Sequence, residues 1–229
     1  MQVFDPQAIA ALGTPVLCID TCSVLDIMRD PTRDDSHPHY REVAIDLVVR
    51  MEAGEIVCIV AEQVELEFDE HDEPIQAEAQ ASLERLRQRV EQVNRIHGTL
   101  LAPIPIDLAH FDEVTASARQ IVGRLLDISY RSPGSADINN RAIDRVNRNI
   151  APARRGKDSI KDCIVLETYL ETMSLLRGEG WLANAVFLSS NSKEYLEGRS
   201  LKPDLQPDFA RTNLEYATNM GQARAYLGF

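Results

Sequence analysis

The sequence predicts an α/β fold on a mainly parallel central sheet, and three observations predict it. Short apolar runs bounded by turn formers recur along the chain, long stretches of helical spacing separate them, and acidic or polar residues follow them directly. Strands buried on both faces read as continuous apolar runs, and each parallel return needs a helical crossover. Alternation of the two therefore gives a parallel sheet covered on both faces.

The first strand is expected at 16–19 (VLCI), after Gly13-Thr14-Pro15, and the second at 56–60, after Gly54. A third follows at 185–188 (AVFL), ending in Ser-Ser-Asn, and a weaker fourth at 213–216. Between the first two, 40–53 is an amphipathic helix stopped by Gly54. Ile75, Ala79, Leu83, Leu86, Val90 and Val93 then form one helical stripe, expected to start after Pro74 and end at Gly98. Further long helices are expected at 108–129 and 158–177. Pro133-Gly134-Ser135 and Pro152 interrupt the stretch between those two, so 131–156 reads as a mobile loop carrying a short helix. With no repeat, low-complexity tract or long linker, residues 1–229 are expected to form one domain with a helical elaboration over about 74–150.

Composition narrows the class. The 229 residues are 44% hydrophobic and 26% charged, which excludes a disordered or fibrous chain. No apolar stretch is long enough to span a membrane, and the opening MQVFDPQAIA lacks the pattern of a signal peptide. Cys18, Cys22, Cys58 and Cys163 show no paired metal-ligand spacing, so a reduced, cytoplasmic setting is expected, without zinc. The net charge of −12 argues at first against a polyanionic partner, yet it is uneven. Residues 1–100 hold 20 acids and 8 bases, whereas residues 101–229 hold 16 of each.

Ligands in open α/β sheets bind beyond the C-terminal ends of the strands, which makes the residues after each run the candidates for chemistry. Asp20 ends the first strand, where it either caps the next helix or serves a site. Seven acids fall in 62–73 after the second strand, too many to point one way, and most must be solvated. Asp158 and Asp162 stand one helical turn apart, and Asp162 directly precedes the apolar run CIVL at the edge of the core. A carboxylate there costs free energy unless something positive or hydrogen-bonded meets it. The third strand delivers Ser189, Ser190 and Asn191. Carboxylates from separate strand ends plus neutral oxygens make a donor set for a hard cation, Mg²⁺ or Mn²⁺.

The segments LCIDTCSVLD, AEQVELEFDEH, KDSIKDCIVLETYLE and VFLSSNSKEY, in this order from residue 16 to about 195, resemble those of PIN-domain nucleases, most closely the larger forms with long inserted helices. The resemblance implies a three-layer α/β/α fold and a divalent-metal endoribonuclease site. Its first Asp falls on Asp20, its Glu on Glu67 with Glu65 and Glu62 as alternatives, and its third acid on Asp162 with Asp158 auxiliary or in its place. The chain departs from the pattern at Cys22, where many PIN domains have Asn, and at Ser189-Ser190-Asn191, where many have a Thr-x-Asp motif. Asn191 is the weaker ligand that stands there.

A nuclease must also hold a phosphate backbone. Arg141, Arg145, Arg148, Arg154, Arg155, Lys157 and Lys161, against Asp144 and Asp158, give +5 in 141–161. The first six are the expected contacts to single-stranded RNA, with Arg141, Arg145 and Arg148 on one helical face; the competing reading pairs this segment with the acids of 62–73. An antitoxin or other regulatory protein, and a second copy of the chain along the long helix, are the protein partners left open. The alternative function is a catalytically silent PIN-like module that binds RNA or a protein, which Asn191 favours. A haloacid-dehalogenase-type phosphatase, suggested by Asp20-Thr21, lacks its second Asp, because Cys22 occupies that position.

Overall fold

The computed structural model describes residues 1–34, 37–101 and 105–229. Six parallel strands form the central sheet: β1 (Gln2–Val3), β2 (Val16–Ile19), β3 (Val57–Ala61), β4 (Tyr130–Ser132), β5 (Ala185–Leu188) and β8 (Glu215–Ala217). Their spatial order is β1-β4-β3-β2-β5-β8, and β6 (Leu196–Glu197) pairs antiparallel with β7 (Ser200–Leu201) in a separate hairpin. Every residue of β2, β3 and β5 is buried, the expected signature of strands covered on both faces.

The helices are α1 (Pro6–Leu12), α2 (Thr21–Met28), α3 (Pro38–Glu52), α4 (Glu62–Leu100), α5 (Val114–Ile128), α6 (Ala136–Arg148), α7 (Ile160–Gly178), α8 (Ser192–Tyr195), α9 (Gln206–Thr212) and α10 (Met220–Leu227). One layer packs α3, α5 and α10 together, with α5 touching β3 and α10 touching β5. The other centres on α7, which lies against β3 and β4 and carries α1, α6 and α9. The architecture is a three-layer α/β/α sandwich. No helix among the described residues is long and apolar enough to cross a membrane.

Register places the site. Ile19 pairs with Leu188, Leu188 with Ala217, and Ala61 with Ser132, so the strands finish along one edge. The next residues, Asp20, Ser189, Thr218 and Glu62, emerge side by side. The chain leaves β2 for β3 on one side and returns for β5 on the other, so a topological switch point falls beside Asp20.

Several sequence expectations need correction. The long helix does not begin after Pro74: α4 runs 39 residues from Glu62 straight through that proline. Pro74 removes one backbone N–H and the bond it would give to the carbonyl four residues earlier, which ordinarily breaks a helix. Here Phe68 and Leu83 on either side are buried, and Ile75 packs on the core, so tertiary packing holds both halves in line. Strands β1 and β4 were not expected. They are short and partly exposed, and Tyr130-Arg131-Ser132 has no apolar run to reveal it. The expected helix at 108–129 is a 3₁₀ turn at Ala109–Phe111 followed by α5. The stretch 131–156 is mostly β4 and the 13-residue α6, which Ser135 starts by accepting the N–H of Ile138 and Asn149 stops at φ 53°.

Candidate active site

Asp20 closes β2 and caps α2. Its Oδ1 accepts the N–H of Thr21 at 2.8 Å, and its Oδ2 accepts the Ser189 hydroxyl at 2.6 Å and the Cys22 thiol at 3.3 Å. The capping role foreseen for it is thus observed, and its second carboxyl oxygen faces Ser189 and Cys22. Burial pushes its pKa up; the bonds from Ser189 and Cys22 pull it down, and the charge of Glu67 adds to the rise. The net direction is upward.

Glu67 arrives from the second turn of α4. Its Oε2 accepts the Thr21 hydroxyl at 2.9 Å and its Oε1 the Gln63 amide at 3.1 Å. Thr21 thus binds two carboxylates at once, Asp20 through its N–H and Glu67 through its hydroxyl. Glu62 and Glu65 turn elsewhere, onto Arg131, and Glu62 also accepts the N–H of Gly134 at 2.9 Å. Asp162, in the first turn of α7, lies within electrostatic reach of Asp20 and Glu67. Its pKa is pushed up to about 7, first by burial, then by the charge of Asp20, with Glu67 and Glu194 adding and Lys157 opposing. Asp158 is exposed, and its carboxylate accepts the N–H of Ile160 at 3.4 Å at the start of α7.

A fourth carboxylate belongs to this group and was not foreseen. Glu194, on the single turn α8, is buried; its Oε1 accepts Lys157 Nζ at 2.7 Å, while Oε2 is buried with no hydrogen-bond partner among the described residues. Asn191, the residue expected there, caps α8 without a side-chain cap bond and donates its backbone N–H to Ser189 Oγ at 3.3 Å. Tyr195, the next residue, is fully buried as well.

The basic residues divide sharply. Arg145 is only 7% exposed and is bound to Glu167, Asp208 and the carbonyl of Ala151. Arg141 pairs with Glu167 at 2.7 Å and with Glu171. These two guanidinium groups fasten α6 to α7 and α9: Arg145 is buried among its partners, whereas the side chain of Arg141 stays 43% exposed. Arg148 is exposed and pairs with Asp144 at 3.2 Å, Lys157 is taken by Glu194, and Arg154 and Arg155 are exposed on the loop before α7. Of the acids in 62–73, Glu70 pairs with Lys161, and Glu62 and Glu65 pair with Arg131.

Among the described residues no three His, Cys, Asp or Glu side chains are grouped closely enough to hold a metal ion as they stand. The donor chemistry nonetheless suits a hard divalent cation: all four groups are carboxylates, one carboxyl oxygen of Glu194 is buried without a partner among the described residues, and burial together with the neighbouring acids raises Asp162.

A parallel six-stranded sheet between two helical layers, with acidic side chains beyond the strand ends, defines the class as a three-layer α/β/α domain. The chain belongs to the PIN-domain family, whose model matches residues 17–195. PIN domains are commonly nucleases and typically use divalent metals. No curated protein and no solved structure matches the chain.

Proposed function

We propose that the protein is an endoribonuclease that hydrolyses phosphodiester bonds of single-stranded RNA with Mg²⁺ or Mn²⁺. The observation that carries this reading is the Thr21 bridge between Asp20 and Glu67, with Asp162 near enough to feel both charges and that of Glu194 and raised to about 7, first by burial. A group of acids that repel each other this way gains free energy when a cation joins them. Asp20, Glu67 and Asp162 would hold it, with Glu194 as the fourth donor once Lys157 swings away and Asp158 and Asn191 at the rim. When bound, the cation supplies Lewis-acid activation of water and neutralises charge at the phosphodiester. Ser189 and Cys22 orient Asp20, Thr21 orients Glu67, and the exposed Arg154 and Arg155 offer charge to the RNA backbone beside Asp162.

A second reading, a catalytically silent PIN-like module, has its own observation: Lys157 already neutralises Glu194. Calorimetric titration with Mn²⁺ separates the two, since binding supports the hydrolase and none at millimolar metal supports the silent module. In the cleavage assay, Asp20→Asn is expected to lower Mn²⁺-dependent cutting of single-stranded RNA by at least ~100-fold, the scale for losing one group that stabilises charge in a transition state. Equal cutting by that variant would overturn the assignment.

A further inference from the structure

A second concavity adjoins the carboxylates on the far side of β2. It is a cleft of about 250 Å³ at the ends of β2, β5 and β8, walled by α2, the start of α3 and the start of α10. Its wall is continuous with the candidate active site. Ser190, on the cleft, donates its N–H to Ser23 Oγ at 2.9 Å, and the neighbouring Ser189 holds the Asp20 carboxylate.

The described lining of this cleft is more basic than the chain as a whole. Arg29, Arg33 and Arg41 line it against one acid among the described lining residues, Asp26, in a protein of net charge −12. Arg41 is anchored: its Nε donates to the carbonyl of Ile27 at 3.2 Å and its Nη2 to that of Arg29 at 2.7 Å. Those bonds fix the turn after α2 that presents Arg29, whose side chain is 36% exposed and meets Asp26 at 3.1 Å. Arg33, with its side chain 28% exposed, reaches the same Asp26 at 3.9 Å. On the opposite wall Tyr40 keeps an exposed ring, held edge-on by His37 with centroids 5.1 Å apart. The polar side chains of Thr218 and Asn219 lie at the third side.

Guanidinium groups that recognise phosphate, an exposed aromatic face that stacks on a base, and amide or hydroxyl groups for a ring edge are the three components of nucleotide recognition. About 250 Å³ lies just below the ~300 Å³ lower end of ligand clefts, so a nucleotide would use the exposed Tyr40 ring as well as the cleft itself. We infer that this cleft binds one nucleotide of the RNA strand, the one adjoining the scissile phosphodiester, with its phosphate on Arg29 and Arg33 and its base on Tyr40. The inference rests on the endoribonuclease reading for the identity of the strand. It assigns a binding role to a face that the carboxylate chemistry does not use.

The test measures binding without turnover. Full-length protein in chelator is titrated against fluorescein-labelled hexauridylate by anisotropy. Tyr40→Ala is expected to weaken binding roughly 5- to 100-fold, the range for losing one stacked base, and Tyr40→Phe to restore it. Arg29→Ala with Arg33→Ala should weaken it by a similar factor while thermal unfolding shows a folded chain. Uridine 5′-monophosphate should displace the labelled strand, and uridine should not. Unchanged affinity in Tyr40→Ala and in the double arginine variant, or equal displacement by uridine, would overturn the cleft assignment. The two readings fail separately: a chelated protein that binds through the cleft but never cuts with Mn²⁺ retains the cleft and loses the hydrolase. A protein that cuts while every cleft variant binds normally does the reverse.

Discussion

Thr21 has a small side chain with two carboxylate partners, and the alignment of the site depends on it. Its N–H holds Asp20 at 2.8 Å and its hydroxyl holds Glu67 at 2.9 Å, so one residue sets the spacing between the cap of α2 and the second turn of α4. Groups that orient a metal's ligands typically alter affinity by 10- to 100-fold when removed. Thr21→Val keeps the β-branched shape and the backbone bond and deletes only the hydroxyl. It should weaken Mn²⁺ binding about 10- to 100-fold in a calorimetric titration, and Thr21→Ser should recover most of the loss. An unaltered affinity in Thr21→Val would mean that Glu67 needs no such guide. At this scale the sequence exposes Asp20 and Asp162, because each touches an apolar run that marks a strand end or a core edge. It leaves Glu62, Glu65 and Glu67 undivided, since the choice depends on which way the first turns of α4 face. Glu194 escapes altogether: it lies six residues past β5, and nothing local shows that its turn is buried. Arg145 misleads in the opposite sense, because counting charge along a segment cannot see Glu167 and Asp208 waiting across the interface.

Among the elements, α7 does more than cover the sheet. Tyr169, fully buried, donates its hydroxyl proton to the carbonyl of Ile19 at 2.6 Å and accepts the N–H of Ala61 at 3.0 Å. Ile19 ends β2 just before Asp20, and Ala61 ends β3 just before α4, so one phenol joins the two strand ends that launch Asp20 and Glu67. The apolar spacing of 158–177 reveals a core helix but not this bond, because a tyrosine in a helix reads as packing until its hydroxyl is placed. Strand β4 is illegible for a related reason: its pairing with β3 and β1 supplies the order that Tyr130-Arg131-Ser132 lacks in hydrophobicity. Tyr169→Phe removes a partner from two buried backbone groups, a loss of about 1–3 kcal/mol. For a chain of this size that is a fall in Tm of roughly 2–12 °C, measurable by thermal unfolding. The same variant should lose Mn²⁺ affinity as the two strand ends relax. Lower Tm with unchanged affinity would restrict Tyr169 to stability.

For the whole molecule, the acidic balance divides into three parts: surface acids, acids held by arginines, and the few buried ones at the strand ends. The last group makes stability depend on pH in an unusual direction. Asp162 has an ordinary value of 3.8 and is raised to about 7 in the fold by burial, Asp20, Glu67 and Glu194, with Lys157 opposing; Asp20 itself is raised mainly by burial. Between pH 4 and 7 the folded chain therefore holds a proton on Asp162 that the unfolded chain has released. The unfolded state binds fewer protons there, so stability falls as pH climbs through that window and levels off above about 7. Glu52 and Glu70, lowered by Arg124 and Lys161, act the other way, but only below their ordinary 4.5. In chelator, Tm should thus be higher at pH 5.5 than at pH 7.5, and Asp162→Asn should flatten most of the difference. A divalent cation binds the deprotonated acids of the folded state alone, so millimolar Mn²⁺ should raise Tm at pH 7.5 far more than at pH 5.5 and reverse the order. A slope that survives in Asp162→Asn, or a Mn²⁺ effect independent of pH, would remove Asp162 from both the titration and the metal site.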